Sequence, residues 1–164
     1  MNSNLNERQY AQLLAPLNEK RVAKRQGGGG RALSYLEAWD VKAHLNRLFG
    51  FLNWSAEVIS ADIAYEEQTE KGNWSVGYKV VLQLTIGHYP GSAVYTEAAV
   101  GSAMLPQRGE AHDMAIKTAE SDALKRAAIN LGTQFGLSLY DNGSLRDVVI
   151  KTLDVEDHAE ASTE

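Results

Sequence analysis

The hydrophobic pattern has a helical period at both ends of the chain and a period of two in its middle. Near the start, Asn4 followed three residues later by Glu7 makes a capping-box pattern, which predicts a short helix stopping near Pro16. The glycines at 27–30 suit neither helix nor strand and read as a hinge into the next element. Ser34 with Glu37 forms a second capping-box pattern. Val41, Leu45, Leu48 and Phe49 then fall at i, i+4, i+7 and i+8 ahead of Gly50, predicting an amphipathic helix of about four turns.

Three strand-like stretches follow. Residues 54–63 are mixed, 74–86 alternate with Val76, Tyr78, Val80, Leu82, Leu84 and Ile86 on one face, and 93–100 form a shorter third. Turn residues fill the connectors at 66–73 and 87–91, so an antiparallel β-meander is expected. Ser75, Lys79, Gln83 and Thr85 occupy the other face, which should meet water or another subunit. From about His112 the helical period returns. Ile116, Ala119, Ala123, Ala127 and Leu131, flanked by Leu124 and Ala128, make a small-residue stripe suited to close packing on a sheet, while Lys117, Ser121, Asp122, Lys125 and Arg126 lie on polar faces. Gly132 and Gly136 should interrupt that helix, Asp141-Asn142-Gly143 is a turn, and Ser144 with Asp147 would cap a last short helix. The fold class is α+β, the meander packing on a long Ala-rich helix and a shorter amphipathic one.

Composition narrows the chemistry. The 164 residues contain 44% hydrophobic positions and no cysteine, which favours one folded domain and excludes disulfides, Cys-ligated metals and thiol nucleophiles. No apolar run approaches the roughly 18 residues that span a bilayer, and no secretory pattern opens the chain, so a soluble cytoplasmic protein is expected. The net charge of −5 argues at first against nucleic acid. The charge is uneven, however: the balances over 1–50, 51–100, 101–150 and 151–164 are +4, −4, −1 and −4. Much of the acid sits in a polar tail at 151–164, expected to be disordered, and the basic excess gathers in Lys20, Arg21, Lys24, Arg25 and Arg31 around the glycine run. These boundaries suggest an N-terminal helix and basic arm at 1–26, a folded domain at 27–150 and the acidic tail.

His44, His88, His112 and His158 fall in separate predicted elements without metal-ligand spacing, and read as surface residues. Asp113, Glu120 and Asp122 would have to converge to hold magnesium for a nuclease, but Asp122 precedes Lys125 by three residues and Arg126 by four, which favours ion pairing on the helix surface. Held by Asp122, Arg126 would be the more neutralised of the two cations. The GGGGR run lacks the Lys-Ser/Thr pair of a phosphate-binding P-loop. Lys125 and Arg126 are adjacent on a helix and suited to successive phosphates of a strand, and Trp39, Phe51, Trp54, Trp74 and Tyr78 are candidate surfaces for stacking bases. A magnesium nuclease and a protein-only oligomeric adapter built around the acidic tail are the competing readings.

Residues 109–141, GEAHDMAIKTAESDALKRAAINLGTQFGLSLYD, resemble the helical signature of the Rad52 family of single-strand annealing proteins, with a core A-x-x-D-A-L-K-R-A, then asparagine and glycine, then a second glycine and L-Y-D. Upstream, 27–54 is similar to that family's Gly-rich lead into a Tyr-x-Glu helix that closes with Phe-Gly, an aromatic position and Trp. The resemblance covers about 20–141. It implies an ATP-independent protein without cofactor, catalytic residue or metal, assembling into rings that hold single-stranded DNA in an outer groove and anneal complementary strands in homologous recombination and double-strand break repair. It further implies that Lys125 and Arg126 line the groove, with Phe51 at a tyrosine position beside it. Asp40 and Ile129 stand where the family has groove arginines. Arg31, Lys42 and Arg47 lie close enough in sequence to replace them, Lys24 and Arg25 extend the basic arm, and Arg108 falls near the segment of an outer, second DNA site. Expected partners are single-stranded DNA, further copies of the chain, and a recombination exonuclease or single-strand-binding protein. The chain's end soon after the resembling region suggests a minimal phage or bacterial version.

Overall fold

The computed structural model describes residues 5–30, 32–88 and 90–152. Asn4, Arg31, His158 and the acidic tail beyond Thr152 lie outside the described residues. The architecture is α+β, with a three-stranded antiparallel sheet, a two-stranded sheet and three helices. The chain divides into two compact units. The first takes in Met1–Trp54, Gly87–Ser92 and Ile129–Glu164; the second takes in Ser55–Ile86 and Ala93–Ala128.

In the first unit, helix α1 (Glu7–Leu13) starts two residues later than the capping pattern suggested. Asn6 is the N-cap, and the reciprocal bonds run from Gln9 N–H to Asn6 Oδ1 at 3.0 Å and from Asn6 N–H to Gln9 Oε1 at 2.8 Å. The basic arm is a hairpin rather than a hinge. Strand β1 (Val22–Gln26) pairs antiparallel with β2 (Ala32–Leu36), in a register that sets Val22 opposite Leu36 and Gln26 opposite Ala32. Gly29 and Gly30 sit at φ 75° and 76° in the connecting turn, backbone that glycine adopts freely, and the reversal brings the two flanking segments into pairing. Ser34 is therefore a strand residue and caps nothing. Helix α2 (Ala38–Phe49) has Glu37 as an N-cap without a side-chain bond, and ends at Gly50 as expected.

The core of this unit contains Leu17, Leu36, Val41, Leu45, Phe49 and Phe135. After Gly132 the chain makes two 3-10 turns, Thr133–Phe135 and Leu137–Tyr140. No helix follows Ser144 among the described residues. The main chain there is bonded elsewhere, with Leu17 N–H donating to the Leu145 carbonyl at 2.9 Å and Val148 N–H to Thr133 Oγ1 at 3.1 Å. Those contacts outweigh a local cap.

In the second unit, strands β3 (Trp54–Gln68), β4 (Trp74–Ile86) and β5 (Ala93–Leu105) are neighbours in that order. β4 has the predicted bounds; β3 and β5 run five residues further. Those extensions escaped the period for different reasons: β3 is almost wholly exposed, Tyr65 included, whereas the helix-facing positions of β5 are Gly101, Ala103 and Leu105, the first two too small to stand out against the exposed Met104. Val76, Val80, Leu82, Leu84 and Ile86 are buried on the predicted face of β4. Helix α3 (Arg108–Ile129) begins four residues before His112, because Ala111 and Ala115 continue the stripe of Ala119, Ala123 and Ala127, and all five are fully buried. Ala111 and Ala115 pack with Val76 against Trp74, Tyr78, Ala103 and Leu105.

The small stripe lets the helix backbone touch the sheet. A methyl group at Gly101 on β5 would lie 2.2 Å from Ala119 N and 2.6 Å from the Ala115 carbonyl oxygen. Both are backbone atoms, so neither side can rotate away. Gly101→Ala should therefore push α3 off the sheet and cost about 2–3 kcal/mol or more, read as a lower urea midpoint with an unchanged denaturant slope.

Candidate nucleic-acid interface

The Lys-Arg pair sits near the end of α3, on the side away from the alanine stripe. Lys125 Nζ is 2.6 Å from Asp122 Oδ1, and Arg126 reaches Glu97 of β5 at 3.3 Å. The expected ion pairing of Asp122 on the helix surface is made with Lys125, three residues on, and not with Arg126. Glu97 projects from the helix-facing side of β5 and captures the arginine. The Arg126 side chain stays 53% exposed and Lys125 27%, so the arginine is the freer charge.

The carboxylates considered for magnesium do not gather. Asp113 binds Lys117 at 2.6 Å and Asp122 binds Lys125. No group of three potential metal ligands occurs among the described residues.

Arg108, at the start of α3, donates from Nε to Glu66 Oε1 at 2.8 Å and lies over the Trp74 ring at 5.2 Å from its centroid. Glu66 Oε2 is also 3.2 Å from His112 Nε2, and His112 Nδ1 is 3.0 Å from the Tyr78 hydroxyl. The hydrogen bond from Arg108 holds the Glu66 carboxyl below its usual pKa. Arg108 is consequently tied into a local network, although its side chain remains largely exposed.

The other candidates lie in the first unit. Lys24 and Arg25 are exposed on β1, and Arg25 stacks over Tyr35 at 5.4 Å. Lys42 and Arg47 are exposed on α2; Arg31 is outside the described residues. Phe51 is 81% exposed beyond Gly50, and Trp39 is also exposed. Trp54 is half-buried, with Nε1–H donating to Asn46 Oδ1 at 2.7 Å.

Of the buried polar residues that escaped the sequence reading, which include Ser75 on the sheet face expected to meet water, Asp40 and His44 bear on the site. Asp40, at the position of a missing groove arginine, is 4% exposed and paired with Arg21, whose Nη2 lies 2.8 Å from Oδ2 and whose Nε lies 3.1 Å from the same oxygen. Arg21 Nη1 also donates to the Gln134 carbonyl at 2.9 Å. His44 is 3% exposed rather than on the surface, its ring tilted against Phe135 with centroids 5.1 Å apart. The available signal was its place within the Val41, Leu45, Leu48 stripe.

Burial, reinforced by Arg21 and Arg47 and opposed by Asp40 and Gln134, lowers the His44 pKa from 6.5 to about 4. The unfolded chain takes up this proton near 6.5 and the folded protein only near 4, so stability is full above 6.5 and is lost as pH falls toward 4. The loss is on the order of 3 kcal/mol. Urea midpoints at neutral pH and near pH 4 measure it, and His44→Gln should flatten the difference.

The model of the Rad52/22 family double-strand break repair protein matches residues 6–157. This chain belongs to the Rad52/22 family. Among its relatives, the DNA repair and recombination protein rad22 of Schizosaccharomyces pombe is 33% identical over 138 residues, covering 83% of this chain and 29% of the relative. The rti1 protein of the same yeast is 29% identical over 138 residues, covering 84% and 36%. The DNA repair and recombination protein RAD52 of Saccharomyces cerevisiae is 31% identical over 134 residues, covering 80% and 27%. The chain thus spans only about a third of the length of these relatives. The Rad52/22 match takes in all three helices and both sheets, the Lys125-Arg126 pair and the hairpin included. No helix among the described residues is long and apolar enough to cross a membrane.

Proposed function

We propose that this protein binds single-stranded DNA and anneals complementary strands in recombination and repair, without ATP and without making or breaking a bond. The observation that carries the reading is the adjacent, solvent-reaching Lys125 and Arg126 on a helix whose opposite side is buried alanine, in a chain of the Rad52/22 family. Lys24, Arg25, Arg31, Lys42, Arg47 and Arg108 supply further phosphate contacts, and Phe51 offers a ring for stacking. The acting form is a homo-oligomeric ring or arc. Its support is the exposed apolar surface of the two edge strands, with Val58, Ile59 and Ile63 on β3 and Val94, Val100 and Met104 on β5, an arrangement that monomers ordinarily cover. Side-by-side assembly joins the separate basic patches into one track, so that local field rather than the net charge of −5 governs binding. Residues 1–26 act as helix and basic arm, 27–150 as the annealing domain and 151–164 as an acidic tail; a recombination exonuclease or single-strand-binding protein is the expected further partner.

The test combines sizing with a strand assay. The protein should sediment as a multimer and speed the pairing of complementary oligonucleotides without ATP. Its affinity for oligothymidylate should fall with salt by a log–log slope of about −0.7 per phosphate contacted. A monomer at all concentrations, or affinity indifferent to salt, would overturn the reading.

A further inference from the structure

The helix-facing side of β5 carries Tyr95, Glu97, Ala99, Gly101, Ala103 and Leu105. The antiparallel register sets this row against buried positions of β4: Tyr95 is opposite Leu84, Ala99 is opposite Val80, and Glu97 is opposite Leu82, which is 1% exposed. Glu97 is the one charge in that row. Because side chains alternate along a strand, Thr96 or Ala98 would have offered a carboxylate the open face and full hydration. On the inner face it gives up part of its water, which calls for a compensating partner.

That partner is Arg126. Its Nη2 donates to Glu97 Oε2 at 3.3 Å, long for a charge-assisted bond, and the two side chains remain 53% and 32% exposed. Arg21 shows how this chain builds a closed pair: Nε and Nη2 grip Asp40 at 2.8–3.2 Å, and the two side chains are only 12% and 6% exposed. Arg126 commits a single donor group to its carboxylate and keeps the others toward solvent. Lys125 and Asp122 differ again, as neighbours three residues apart on one helix, where such pairs arise from spacing alone. Glu97 instead comes from a second element, twenty-nine residues away, to meet one of the two cations assigned to the strand.

Resting on the annealing reading, we propose that Glu97 is a built-in competitor of the DNA strand. It holds the place of a phosphate on Arg126 in the empty protein, yields the guanidinium when a strand arrives, and takes it back as the strand leaves. Carboxylate and phosphate oxygens accept the same guanidinium N–H groups, so the two occupants exclude each other at the donor they share. An exposed ion pair is weak, and the exchange is therefore close to balanced. Balance suits annealing, in which a strand held for pairing has to be released once the duplex forms. Where several subunits grip one strand, a small factor at each multiplies along it. An inward charge on an edge strand also discourages edge-to-edge pairing, but that role would leave Arg126 out of account.

The experiment compares full-length wild type and Glu97→Gln for affinity toward oligothymidylate and for the rate at which a bound strand leaves. Glutamine keeps the shape and removes the charge. Binding about threefold to fivefold tighter, the size of an exposed ion pair, and correspondingly slower release are expected. Unchanged or weaker binding would overturn the proposal, the weaker case making Glu97 a residue that positions Arg126 for the strand. So would an equal gain in Glu57→Gln, an exposed carboxylate of β3, because general repulsion would then explain the effect. Sizing of Glu97→Gln reads the edge-guarding role. Should that variant assemble differently, the carboxyl carbon signal of Glu97 in the wild-type protein decides. On saturation with oligothymidylate that signal should move to the position it has in DNA-free Arg126→Ala, where the pair is absent. A signal that stays in place would show that the pair survives binding, and would overturn the proposal. Wild type that does not bind oligothymidylate defeats the annealing reading itself, whereas wild type that binds with Glu97 undisturbed defeats only the competitor.

Discussion

Changing both Lys125 and Arg126 to alanine is expected to weaken binding of single-stranded DNA by tenfold to a hundredfold or more, while leaving the fold and the assembly intact. Alanine is the best helix former, and neither side chain contributes to the buried stripe of α3. Each charge-assisted contact to phosphate is worth about 1.5–3 kcal/mol, so losing two is a large fraction of a weak binding energy. The carboxylates left behind add to the effect. Asp122 and Glu97 now balance Lys125 and Arg126, and in the double variant they would face the strand uncompensated. The single changes should rank in the order of free charge. Arg126 is more exposed and more distant from its partner, so Arg126→Ala should cost more than Lys125→Ala. Fluorescence anisotropy with oligothymidylate, alongside circular dichroism and sizing, measures all three. Undiminished affinity in a folded, assembled double variant would remove these residues from the site.

The largest effect on stability is expected from Arg21→Met. The change keeps much of the side-chain volume but leaves the Asp40 carboxylate 4% exposed with no cation beside it, and breaks the bond to the Gln134 carbonyl. Breaking a buried pair from one side costs about 3–5 kcal/mol, most of it the penalty of the abandoned charge. That is enough to unfold a marginal domain. The double variant Arg21→Met/Asp40→Leu should recover most of the loss, because the penalty disappears with the carboxylate. Urea denaturation of wild type, both singles and the double gives the coupling directly. A single variant within about 1 kcal/mol of wild type would mean that water reaches Asp40 and that the pair is not buried in solution.

Period and composition settle part of this protein. The alternation of Val76 through Ile86 and the alanine spacing of α3 repeat over enough residues for the buried face to be read from order alone, because one side chain in two or in about four must leave water in those elements. The adjacency of Lys125 and Arg126 on the polar side of α3 follows from the same spacing. Where the signal is local and short, tertiary contacts decide. Both Asn4 with Glu7 and Asn6 with Gln9 could open α1, and the second pair is the one that does. Ser34 has a capping motif, but strand pairing with Lys24 claims it. Ser144 has another, but Val148 is bonded to Thr133. The extended part of β3 buries no regular face, and in that of β5 the inward Gly101 and Ala103 are small, so neither leaves a hydrophobic period to read.

The polar partners required three dimensions. Arg21 and Asp40 are nineteen residues apart and Arg126 and Glu97 are twenty-nine, and nothing in one-dimensional spacing distinguishes these pairs from the alternatives on the same helix. A charge is neutralised by whichever opposite charge the fold brings within about 4 Å, since the interaction decays with distance in space and is indifferent to distance along the chain. For that reason the sequence alone determined the α+β class, the sheet face that is buried and the cationic pair. Only the tertiary structure decided that Asp40 belongs to Arg21, that Arg126 is the freer cation, and that His44 is buried against Phe135.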